Sequence, residues 1–109
     1  MALRLEAHTG YLELVTDFFT ERTGRGLLLA PAEVALVESW QARGIPVEVV
    51  CRAIAVAADA YEAAHPGARA PKRLGYYAGS VEDAFRAARE KAVGARRPAD
   101  AAGGEEGAR

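Results

Sequence analysis

Side chains able to attack a substrate or ligate a metal are few in this 109-residue chain. Cys51 is the single cysteine, so no disulfide can form within the chain, and a lone thiol points to a reducing compartment. His8 and His65 have no His, Cys or acidic partner at i+3 or i+4, so no metal cluster is expected. Cys51, between Val50 and Arg52 on an apolar stripe, reads as a packing thiol rather than a nucleophile. Ser39 and Ser80 are the only serines, and neither stands in a Gly-x-Ser-x-Gly elbow. Gly24-Arg25-Gly26 follows no strand and precedes no Lys-Ser/Thr pair, so it is not a phosphate loop. The expectation is a non-enzymatic protein with no metal, cofactor or small-molecule substrate.

Charge offers more than nucleophiles do. The formal net charge is -1, yet residues 1–62 carry five bases against nine acids and residues 63–97 carry eight bases against three acids. In the back segment Lys72, Arg73, Arg86, Arg89, Lys91, Arg96 and Arg97 interleave with Tyr76, Tyr77 and Phe85. Cations for phosphates and aromatic faces for unstacked bases are what nucleic-acid binding requires. The same residues fit a plainer arrangement, with Tyr77 and Phe85 in the core and the arginines coating a helix. In the front segment Glu13, Asp17 and Glu21 form a like-charge ladder at i, i+4, which costs a helix a few tenths of a kcal/mol per pair. It reads as a solvated face or as a docking face for a basic partner, a second copy of the chain included.

The elements that must position these groups are helical. Alanine, the best helix former, occurs 25 times. Tyr11, Leu14, Val15, Phe18 and Phe19 recur at helical spacing over 10–23, and Gly24-Arg25-Gly26 ends that helix. Leu27-Leu28-Leu29 is expected as a buried connector. Pro31 suits a first helical turn, Val34, Val37 and Trp40 continue the stripe, and Arg43-Gly44 closes it. Ile45-Pro46 restarts the chain, and Val47, Val50, Ile54, Ala58 and Tyr61 carry a third helix to about Ala64. Two helices joined by so short a turn form a helix–turn–helix in the geometric sense. Residues 65–71 read as a loop, and Lys72 to Gly79 has no clear period. Ser80 is the expected cap of a last helix whose buried face is Val81, Ala84, Phe85, Ala88 and Ala92. The expected organisation is an N-terminal arm over 1–9, one helical domain over 10–93 and a disordered tail over 94–109.

The third helix is poorly suited to reading base edges. It offers Glu48, Arg52, Asp59 and Glu62, three acids to one base, where a recognition helix needs Arg, Lys, Asn or Gln. The helix–turn–helix therefore does not imply sequence-specific DNA binding.

Leu29-Ala30-Pro31 followed by Glu33, Leu36 and Trp40, then Gly44, Pro46, Val50 and Ala53-Ile54, resembles the C-terminal helical domain of DnaD-type bacterial and phage replication-initiation proteins. Tyr77, Val81 and Phe85 follow the spacing of that family's Tyr-x-x-x-Ile-x-x-x-Trp motif, before a basic stretch. Ala30 stands where the family has a capping serine, and the winged-helix half that accompanies the domain has no counterpart here. The resemblance implies an all-α, replication-associated module that contacts DNA through its basic C-terminal third.

Two functions are thus expected in competition. One is weak, sequence-independent DNA binding through the back segment. The other is a protein-interaction or self-assembling module, with the same chain or another replication protein as partner. No stretch approaches the ~20 apolar residues of a membrane span, and no secretory signal is legible at the start, so the expected location is cytoplasmic.

Overall fold

The computed structural model describes residues 2–26 and 28–101, with side chains for 10–26 and 28–93. The described chain is all-α: α1 (Ala2–Thr23), α2 (Pro31–Ala42), α3 (Val47–Ala64), a 3-10 helix (Leu74–Tyr77) and α4 (Ala78–Ala101), with no strand among these residues.

Local chemistry sets most boundaries. Gly24, at φ 76, ends α1, and its N–H reaches Thr20 O at 2.8 Å. Pro31 opens α2, and the Glu33 carboxylate accepts the Ala30 N–H at 2.8 Å. That is half of a capping box; alanine has no side-chain acceptor for the other half. At the far end of α2, Ile45 N bonds Trp40 O at 3.1 Å and Gly44 N bonds Gln41 O at 3.0 Å. This paired closure needs a left-handed residue, and Gly44 supplies it at φ 81. Ile45, just beyond, is buried at 1% exposure, and Pro46 launches α3.

Cross-links give the helix directions. Tyr11 donates its hydroxyl to Ile45 O at 2.7 Å, and further along α1 Arg22 meets Asp59 and Glu62, so α1 and α3 run the same way. Glu33 reaches Leu74 while Arg43 reaches Glu82, so α2 and α4 also run together. The helices on either side of the tight turn diverge: α3 packs against α1 and α4, whereas α2 packs against α1 and the 3-10 helix. The core holds Val15, Phe19, Trp40, Val50, Ile54, Leu74, Tyr77 and Val81, each fully buried. The body is flat, 51 × 46 × 20 Å, with a radius of gyration of 17.2 Å. A globule of this length would have roughly 13 Å; α1 and α4, at 22 and 24 residues, outrun the 12-residue α2.

Several boundaries differ from the sequence reading. The segment expected as an arm over 1–9 is helical from Ala2, and Gly10 lies inside α1. Ala, Leu, Arg and Glu are strong helix formers, and one internal glycine costs only about 1 kcal/mol. For the same reason α4 passes Gly94 and runs to Ala101; the rest of the expected tail, 102–109, lies outside the described residues. Ser80 is not a cap but an interior residue, because the 3-10 helix leads directly into α4. Leu28 is 85% exposed rather than a buried connector, Leu29 packs partly against the core, and Leu27 lies outside the described residues. No described helix is long and apolar enough to cross a membrane.

Gly44 carries a left-handed backbone requirement with open space around it, so the backbone alone sets the cost of a side chain there. Gly44→Ala is expected to lower stability by about 1–2 kcal/mol, the cost of a Cβ in the left-handed region. A urea titration checks this, and an unchanged midpoint contradicts it.

Candidate nucleic-acid interface

The segment from Ala70 to Arg73 has no regular structure of its own, so its backbone groups, and the first N–H of the 3-10 helix at Leu74, must find partners elsewhere. Four side chains supply them. Glu62 accepts the Ala70 N–H at 3.0 Å, and the Tyr77 hydroxyl donates to Pro71 O at 2.7 Å. Arg25 donates to Lys72 O at 2.9 Å, and Glu33 accepts the Leu74 N–H at 2.9 Å. Arg25 and Glu33 also pair with each other at 2.7 Å. Lys72 and Arg73 are thus presented outward from a backbone clamped on both sides, and both are exposed.

Glu33 is the centre of this arrangement. Its side chain is only 13% exposed and accepts from Arg25, Leu74 and its own helix start at Ala30. The Arg25 hydrogen bond, then those from the Leu74 and Ala30 backbones, holds its pKa down at about 2 against the opposing effect of burial. Glu62 is likewise held below the usual carboxylate range, by Arg22 first and the Ala70 N–H second.

The two adjacent tyrosines expected as stacking platforms have opposite fates. Tyr77 is fully buried, packed edge-on against Phe19 at 5.7 Å, and burial pushes its hydroxyl up to about 12. It is a core residue and offers no face to a base. Tyr76 is 46% exposed and stands edge-on to Tyr61 at 5.9 Å and to Tyr77 at 5.0 Å. Tyr61 in turn stacks on His65 at 4.2 Å. The sequence reading placed Tyr61 on the stripe of α3 and dismissed His65 as a metal ligand, without joining them to this surface; their i, i+4 spacing at the end of α3 was the available signal. Tyr76, Gly75, Lys72 and Arg73 line a depression of about 550 Å3 whose inner wall holds Ala30, Arg25 and Glu33.

A second basic surface lies at the other end of α2. There Arg43, Arg86 and Arg89 line an open depression of about 450 Å3 with Glu82, Glu90, Phe85 and Val93. Arg43 forms a two-pronged pair with Glu82, and Arg43 and Arg89 both lie over the Phe85 ring, at 5.9 and 5.5 Å. Arg86 makes a loose 3.3 Å pair with Asp83 and stays 64% exposed. Lys91 is exposed on the same helix. Arg96 and Arg97 fall within α4, but their side chains lie outside the described residues. At ~1.5 Å per residue, Arg86 and Arg89 stand roughly 15–20 Å along the rod from Tyr76. Cations that adjoin in the sequence therefore make two separate patches.

Glu13, Asp17 and Glu21 are all exposed on α1, with no ion partner among the described residues. Leu14, beside them, is 54% exposed. Cys51 is half-buried, and burial, with a smaller push from Glu48, raises its thiol pKa, the opposite of what activates a nucleophile. No group of three His, Cys, Asp or Glu side chains among the described residues could hold a metal ion.

Comparison with protein-family models, with curated proteins and with solved structures found no match.

The depressed pKa of Glu33 makes a signed expectation. Its folded value lies below the ordinary 4.5, so the stability it contributes is present above pH 4.5 and is lost as pH falls through about 2. Glu33→Gln is expected to remove on the order of 2 kcal/mol at neutral pH. It should also flatten the loss of stability between pH 5 and pH 2 relative to the parent. Urea midpoints across that range measure both; parallel curves for parent and variant contradict the assignment.

Proposed function

We propose that this protein is a non-enzymatic, DnaD-like helical module of the cytoplasm that binds DNA weakly and without sequence preference, in a replication-associated role. The supporting observation is how its cations are sorted. Of the four front-segment arginines with described side chains, Arg22, Arg25 and Arg43 are tied to Asp59, Glu62, Glu33 and Glu82, and only Arg52 is exposed without a pair. Lys72, Arg73, Arg86, Arg89 and Lys91, from the back, remain exposed along the 3-10 helix, α4 and the segment before them. Exposed cations on a rod can follow a phosphate backbone, and that electrostatic attraction carries no sequence information. Lack of base specificity also agrees with α3, whose outward Glu48 and Asp59 oppose approach to phosphates.

Four or five phosphate contacts give a log–log salt slope of about -4 for duplex DNA. Fluorescence anisotropy with labelled DNA should show binding in the micromolar range at low salt that weakens along that slope. Arg86→Ala/Arg89→Ala is expected to weaken binding to all sequences alike and to reduce the slope by about 2. No binding at tens of micromolar protein, or an unchanged slope in the double variant, overturns the reading.

One observation favours a second reading, self-association. The exposed ladder Glu13, Asp17 and Glu21, with Leu14 beside it, is opposite in sign to the Arg86, Arg89 and Lys91 surface. One copy's α1 would then lie on another copy's α4, a head-to-tail contact. Light scattering should give a mass above that of the monomer at low salt, reverting to monomer at high salt and in Glu13→Lys/Asp17→Lys. A monomer under every condition removes this reading.

A further inference from the structure

We infer that the depression between the start of α2 and the 3-10 helix binds one unpaired nucleotide of a single strand, its base against Tyr76 and its phosphate on Lys72 and Arg73. The inference deepens the DNA-binding reading and rests on it for the class of ligand. It concerns the Tyr76 patch and not the Arg86 and Arg89 patch.

Several features converge on this ligand. Tyr76 is nearly half exposed, yet Tyr61 and Tyr77 pack against it at near-right angles, so an aromatic ring is held in place with part of its surface in water. Stacking a base on such a face needs little reorganisation and tolerates any base. Lys72 and Arg73 line the same depression, and the bonds from Arg25 to Lys72 O and from the Leu74 N–H to Glu33 fix the backbone on either side of them. Much of the ordering cost of a loop is therefore met before a ligand arrives.

The acid in the wall does not repel the phosphate. Glu33 is matched by Arg25 and by two backbone N–H groups, which leaves Lys72 and Arg73 to set the local sign. The wall beside Tyr76 is also bare, because a Cβ on Gly75 would meet nothing within 4 Å. A cavity of about 550 Å3 is of small-ligand size, within the ~300–1,000 Å3 usual for such sites. Duplex DNA cannot use this site without extruding a base, at a cost of a few kcal/mol. A single strand offers its bases freely, so the site discriminates between the two forms.

The test uses the full chain and an oligothymidylate carrying one 5-iodouracil. Irradiation followed by peptide mapping should place the cross-link on Tyr76. Tyr76→Ala should weaken single-strand binding by about fivefold to a hundredfold, the usual effect of one stacked base. Duplex binding should hold. Tyr76→Phe should retain single-strand affinity. Gly75→Leu fills the bare wall while leaving Tyr76 in place, and should lose single-strand affinity with unchanged helical circular dichroism. Competition with thymidine monophosphate separates a strand from a free nucleotide.

Single-strand affinity unchanged in both Tyr76→Ala and Gly75→Leu overturns the inference. So does an equal loss for single strand and duplex, or a mononucleotide that competes as well as the oligomer at equal nucleotide concentration. Should cross-links avoid Tyr76 while Arg86→Ala/Arg89→Ala still abolishes DNA binding, this site falls and the α4 reading stands. Cross-linking at Tyr76 with no effect of the double variant gives the reverse result.

Discussion

The ion pair between Arg25 and Glu33 is the interaction on which the irregular part of this protein depends. A mostly buried carboxylate costs several kcal/mol unless its lone pairs are filled. Here an arginine and two backbone N–H groups fill them. Each donor belongs to a different piece of chain: the turn after α1, the start of α2 and the start of the 3-10 helix. One side chain thus joins three segments that share no helix. Arg25 extends the junction by donating to Leu28 O and Lys72 O. A network of this kind favours one arrangement over many, because each member left unpaired in the interior would be costly.

The same logic divides the arginines by role. Three of those contributed by the acidic half are used internally: Arg25 holds Glu33, Arg22 fastens α1 to the end of α3, and Arg43 fastens the end of α2 to α4, while Arg52 stays exposed on α3. The acids of α3 that disqualify it as a recognition helix are in part the ones that Arg22 needs. With these cations engaged, most of the cations with water-facing ends among the described residues lie along the segment from Arg69 to Lys91. An asymmetry visible as composition along the chain becomes one of availability in space.

How much was legible follows from where each determinant lies. The end of α1, the whole of α2 and the start of α3 are encoded locally by Gly24, Pro31, Gly44 and Pro46, and their boundaries can be read residue by residue. The start of the 3-10 helix that leads into α4 cannot, because the group that receives its first N–H, Glu33, is 41 residues away. A reader confined to neighbours turns to Ser80 instead. The tyrosine pair shows the same limit on a smaller scale. Successive residues of a 3-10 helix point about 120° apart, so Tyr77 enters the core while Tyr76 faces out, and Lys72–Gly79 has no period to say which. Likewise Arg43 joins Arg86 and Arg89 only through the parallel course of α2 and α4, a tertiary fact.

Trp40 is the one tryptophan of the chain, and its indole is fully buried with no acceptor for Nε1 among the described residues. An indole in a dry, apolar site emits at short wavelength, and exposure to water shifts that emission to the red. The molecule therefore carries a built-in optical gauge of its core. Neither depression has Trp40 in its lining, so the gauge reads folding separately from events at the surface.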